Sequence, residues 1–215
     1  MVKIQNTAKY WCPDVSYSRI FSYSGYFYVF HPLFSDFLRD INDLNLPIHP
    51  DICQLAMGFI YKSANFYTTK YWRLGANKEP LTKVSGPFLA LKFGKGDTAC
   101  GGNLITNVDN QVAYRMVLEV KNSIRDGGCD PTIQMSIYYR GYWSQDDSQR
   151  VRDISCCPTF GIATAGPWMC VLGAIFLGKV VVEPLRPFIF LSAALADSLG
   201  NTTRVLSACN AHSHR

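Results

Sequence analysis

Apolar residues recur at helical spacing in HPLFSDFLRDINDL, where Leu33, Phe34, Phe37, Leu38 and Ile41 predict one helix face, interrupted by Pro47 and Pro50. DICQLAMGFIYKSANFYTTKYW predicts a second helical stretch, so two helices precede the rest of the chain. From Gly75 to Gly86 the residues read as loop, GPFLALKFG supplies one short strand, and GKGDTACGGN is a glycine-rich bend. The period then falls to two in VAYRMVLEVK. Val112, Tyr114, Met116 and Leu118 occupy one face there, and Ala113, Arg115, Val117 and Glu119 the other. Asp130 is placed to cap a helix that opens on Pro131.

Residues 154–178 carry no charged side chain and are long enough to cross a bilayer. Pro158, Pro167 and four glycines break the segment, however, and the β-branched Val180, Val181 and Val182 follow it. Two buried strands joined by a turn fit it better, followed by another strand after Gly178-Lys179. Residues 1–30 are rich in aromatics without a clean period and read as a peripheral or poorly ordered extension; 206–215 read as a flexible tail, with His212 and His214 in it. No repeat or linker divides the span 31–205, so one domain is expected there.

Composition adds little. The 215 residues are 48% hydrophobic, which suffices for a substantial core. A formal charge of +5 permits nucleic-acid binding without identifying a partner. No secretory signal pattern is evident, and the eight cysteines lack metal-knuckle spacing, so reduced thiols in an intracellular protein are expected. The glycine-rich bend lacks the Gly-Lys-Ser/Thr ending of a phosphate-binding P-loop.

The candidate chemistry lies in VLEVKNSIRDGGCDPTIQMSIYYRGYW. Glu119 and Lys121, two apart on a strand, point to one side. A carboxylate there is a hard ligand for Mg²⁺, and an ammonium beside it can stabilise charge on a phosphate. A second acid is required, and Asp109, ten residues upstream, or Asp97, twenty-two upstream, could supply it. Gln134 and Tyr138 fall four apart on one helical face, able to hold water, a base edge or the nucleic-acid backbone. Lys62, Lys70 and Arg73 interleave with Phe66, Tyr67, Tyr71 and Trp72, a mixture that can also hold a strand by stacking.

The order of Glu-x-Lys strand, glycine turn and Gln-x-x-x-Tyr helix resembles the PD-(D/E)xK nuclease superfamily, especially its RecB-like branch. LEVKNSIRDGGCDPTIQ, Tyr142-Trp143 and SCCPTFGIATAGPWMCVLGAIF resemble more narrowly a nuclease-like domain of fungal Crinkler-type proteins, often joined to a protein-kinase-like domain. The resemblance spans about residues 30–205, and its specific part is 119–176. It implies an α/β fold with a restriction-endonuclease-like core, a mixed central sheet flanked by helices. Glu119 would then ligate Mg²⁺ or Mn²⁺ with Asp97 or Asp109, Lys121 would be the catalytic lysine, and Gln134 and Tyr138 an accessory pair. The family's Pro-Asp motif is absent here. The expected function is Mg²⁺-dependent hydrolysis of DNA; the alternative is a catalytically inactive module binding nucleic acid or a protein. The resemblance also implies a nuclear site of action. No kinase motif occurs, so a kinase-like partner domain is not expected within this chain.

Overall fold

Two His-Pro steps open the first two helices among the described residues. His31 and His49 each accept a backbone N–H through Nδ1, from Leu33 at 3.2 Å and Asp51 at 3.3 Å. Each cap precedes a proline whose missing N–H costs nothing at a first helical position. The helices are α1 (Pro32–Asn42) and α2 (Pro50–Ala64). This computed structural model describes residues 31–89, 92–93, 97–98, 102–108, 111–124, 126, 129–192, 194 and 196–212. The expected extension 1–30, the Asp109-Asn110 turn and His214 lie outside them.

A third helix, α3 (Lys70–Ser85), occupies the span read as loop from Gly75. Thr69 caps it, and Arg73, Asn77, Leu81 and Val84 are buried at helical spacing, with Pro80 inside the helix. Tertiary burial of that face overrides the local signals of Gly75 and Pro80. Among the described residues, three helices therefore precede the sheet region, one more than expected.

The strands are β1 (Lys92–Phe93), β2 (Asp97–Thr98), β3 (Gly102–Val108), β4 (Gln111–Lys121), β5 (Thr159–Ala165), β6 (Trp168–Phe176) and β7 (Val180–Phe190). β1 and β2 pair as a separate ribbon, and the others form a five-stranded sheet in the order β3-β4-β5-β6-β7. Among the described pairings of this sheet, only that of β4 with β5 is parallel. A parallel pair needs a crossover, and α4 (Pro131–Trp143) with the short α5 (Gln149–Ile154) provides it. The last described element is α6 (Ala196–His212).

Helices cover both faces of the sheet. On one, Phe34, Phe37, Phe59, Ile60, Leu81 and Leu206 pack with Met116, Leu118, Phe160, Ile162 and Val171. On the other, Met135, Tyr139, Trp143 and Val151 pack with Val117, Ala163, Cys170 and Leu172. Each large side chain buried this way stabilises the fold by about 1.5–3 kcal/mol. The mixed sheet flanked by helices agrees with the sequence reading. The apolar segment 154–178 supplies β5 and β6, and among the described residues no helix is long and apolar enough to cross a membrane.

Two local expectations fail. Strict alternation in β4 is broken, because Leu104 pairs with Met116 but Ile105 with Tyr114, leaving Arg115 as an extra residue. That bulge puts Tyr114 against Tyr142 of α4 instead of alongside Met116. Residues 206–212 are helix rather than flexible tail: Leu206, Ala208 and Cys209 are buried, and His212 Nε2 lies 2.7 Å from Asp40 Oδ2 of α1. The six described cysteines are free thiols, and burial pushes those of Cys157, Cys170 and Cys209 up to about 12. They fill space rather than react.

α4 lies so close to β5 that a Cβ on Gly161 would run into the Met135 side chain. Gly161→Val is expected to destabilise the protein by about 1–3 kcal/mol. Met135→Ala in the same chain should recover part of that loss, read as the coupling energy of a double-mutant cycle in urea denaturation. Strictly additive effects would show that α4 does not seat here.

Candidate functional site

The site forms where β4 outruns β3. Pairing with β3 reaches Gly102 opposite Leu118, whereas β5 continues alongside Glu119, Val120 and Lys121. Among the described residues, the end of β4 is thus laddered on one side only. Leu118 and Val120 point into the core beneath α1 and α2, so alternation turns Glu119 and Lys121 to the side of Val117, which packs with α4. The β5–β6 turn braces this end: Gly166 N–H donates to the Lys121 carbonyl at 3.1 Å. A glycine is required there, with φ of 58° and space for a Cβ only 3.0 Å from the Asn122 carbonyl oxygen.

Glu119 is fully buried. Its Oε1 accepts from Lys70 Nζ at 2.9 Å and lies 3.9 Å from Lys121 Nζ. Oε2 is buried without a hydrogen-bond partner. Burial raises the Glu119 pKa above the ordinary carboxylate value, outweighing the downward pull of the Lys70 hydrogen bond and of the Lys70 and Lys121 charges. Lys121 is itself buried, while the Lys70 side chain is 37% exposed and links the buried acid to solvent.

The helix that follows is built as expected. Asp130 caps α4 by accepting from Thr132 N–H at 2.8 Å. Gln134 Nε2 donates to the Tyr138 hydroxyl, so the pair meets across one turn. Gln134 Oε1 is a second buried oxygen with no partner. Just before the cap, Cys129 sits in the field of Lys121, Asp130 and Glu119, and burial raises its thiol pKa.

The two expected upstream acids are placed differently. Asp97 lies on β2, where its backbone pairs with Phe93, and the ribbon's other strand approaches α4. Asp109 lies outside the described residues. Among the described residues, no group of three His, Cys, Asp or Glu side chains could hold a metal ion. Glu119 Oε2 has the hard oxygen that Mg²⁺ prefers, but a complete ligand set requires one of those aspartates.

Lys70 is the residue that sequence reasoning did not assign to this site. It stands 49 positions from Glu119, and no local spacing connects them. Arg73, one turn later, makes the connection rigid. Its guanidinium donates to the Ser63 carbonyl at 2.7 Å, to the Asn65 carbonyl at 2.8 Å and to Asn122 Oδ1 at 3.2 Å, beside Lys121. Behind the strand, Ser63 Oγ donates to Asn77 Oδ1, Asn77 Nδ2 to Thr164 Oγ1, and Thr164 Oγ1 to the Glu119 carbonyl, at 3.3, 3.5 and 3.4 Å. All three side chains are buried, so this polar chain fixes α2 and α3 against the strand end.

A carboxyl whose folded pKa lies above its unfolded one favours the fold most when protonated. Its contribution is full below the ordinary glutamate range and is lost as pH rises through the raised folded value. Glu119→Gln should abolish that loss. In urea denaturation, the stability of the variant relative to wild type is expected to climb with pH across this window and to level off above it; parallel profiles would contradict the raised pKa. No family model, curated protein or solved structure matches the chain, so the function of this buried acid and its two lysines rests on their own chemistry.

Proposed function

We propose that the chain is a nuclease-like domain with a restriction-endonuclease-like core, hydrolysing DNA phosphodiester bonds with Mg²⁺ or Mn²⁺. One observation carries the reading: a fully buried glutamate at a strand end, flanked by two ammonium groups, keeps one carboxylate oxygen unpaired. An ordinary surface ion pair would need neither the burial nor the second lysine. The passage from Glu119 and Lys121 on β4, through Gln134 and Tyr138 on α4, to a parallel β5 supports the core assignment.

In this reading Glu119, with Asp97 or Asp109, holds the cation. When bound, the cation makes a water easier to deprotonate and withdraws charge from the phosphate. Lys121 faces the same carboxylate and stabilises the negative charge gathering on the phosphoryl oxygens in the transition state. Lys70 neutralises Glu119 and presents a half-exposed cation to an incoming phosphate. Gln134, held by Tyr138, directs its free carbonyl oxygen toward water or a ligand.

A second reading is a catalytically inactive module that binds nucleic acid or a protein. The lack of a Pro-Asp motif in the chain favours it.

The test incubates purified protein with plasmid and linear DNA in Mg²⁺ or Mn²⁺. Glu119→Ala and Lys121→Ala are each expected to slow cleavage by about 10²-fold or more. Cleavage that persists unchanged in both variants would reject the site. No cleavage by wild type with either ion would leave the inactive module as the reading.

A further inference from the structure

The corner between α2 and α3 leaves aromatic rings in water. Tyr61, Phe66, Tyr71 and Trp72 are 59%, 103%, 75% and 63% exposed. The Tyr71 and Trp72 rings meet edge to face, 5.9 Å between centroids. These rings project from a fixed corner. Besides bonding Asn122 and the carbonyls of Ser63 and Asn65, Arg73 lies over the Tyr67 ring at 4.7 Å, and the Tyr67 hydroxyl donates to the Lys62 carbonyl at 2.9 Å. Lys70, which precedes Tyr71 in the chain, reaches the buried Glu119.

We propose that this corner is a stacking platform for the unpaired bases of a single-stranded nucleic acid whose backbone passes Lys70, the partly exposed lysine of the Glu119 site. The inference rests on reading Glu119 and its lysines as the place where a phosphate sits. Exposed rings alone would suit an apolar peptide equally well. The charge selects between the two, because Lys70, next in sequence to Tyr71, and Lys121 both face the Glu119 carboxylate, two ammonium groups to one acid. A polyanion with flat π-faces satisfies both features at once. Bases within a duplex are stacked on one another and present no face to Tyr71 or Trp72, so the platform should discriminate against duplex.

Fluorescence anisotropy of the full chain in EDTA, with a labelled fifteen-residue oligothymidylate and a duplex of equal length as probes (about 15 nucleotides, within the site sizes of single-strand binders), reads binding without metal or cleavage. The single strand is expected to bind more tightly. Tyr71→Ala with Trp72→Ala should weaken it by about tenfold or more, while Tyr71→Phe with Trp72→Phe retains most of the affinity. Lys70→Met should reduce the salt dependence of binding. Circular dichroism and the thermal midpoint should stay unchanged in the aromatic variants, since their rings are exposed.

Equal affinity of the alanine variant and wild type, preference for duplex, or no binding of either probe by wild type would each overturn the platform. The outcome is separable from the nuclease reading. Metal-dependent cleavage with aromatic-independent binding defeats the platform alone, and ring-dependent binding without cleavage defeats the catalytic reading alone.

Discussion

A carboxylate buried to zero exposure at the end of a strand dictates much of what surrounds it. Moving an ion of this size out of water costs several kcal/mol unless the ion is paired or protonated. Glu119 meets that constraint twice over, with burial drawing its pKa upward and two lysines opposing the shift. Lys121 is delivered by the same strand, two residues further on. Lys70 must be delivered from α3, which explains why the α2–α3 corner is tied so firmly to β4. Arg73 anchors it on one side and the Ser63–Asn77–Thr164 chain on the other. These polar groups are internally satisfied, so they hold the corner without leaving buried donors exposed to strain.

The parts of this architecture visible in the sequence are those decided locally. Asp130-Pro131 marks the start of α4 because a cap and a preset φ act within one turn. β5 and β6 are legible as an uncharged apolar segment interrupted by prolines and glycines, since central strands are buried on both faces. The Glu119–Lys121 and Gln134–Tyr138 pairs follow from strand and helix periods, and both pairs meet in space.

What was hidden depends on distant contacts. Pro80 reads as a break, but the buried face of Arg73, Asn77 and Leu81 carries α3 through it. The Arg115 bulge has no signature in an alternating string, because it is set by pairing with β3. The end of α6 looks like a polar tail until Asp40 of α1 is brought against His212, 172 residues away. Lys70 is legible as a cation among aromatics, but its tie to Glu119 is a property of the folded chain.

The division of labour between the two carboxylate oxygens bears on how such a site can work. Both ammonium groups crowd Oε1, so their attraction fixes the orientation of Glu119 and leaves Oε2 as its available electron donor. A divalent cation at Oε2 would meet repulsion from two lysines, which favours binding only when other negative groups arrive with it. An aspartate from the β1–β2 ribbon or the β3–β4 connection is one such source, and a substrate phosphate is another. In the nuclease reading proposed above, cation and nucleic acid would therefore bind with positive coupling, each lowering the electrostatic cost of the other. On that reading the exchange would begin at Lys70, the partly exposed member of the pair, where a phosphate could take over the ammonium and free Glu119 to act as a ligand.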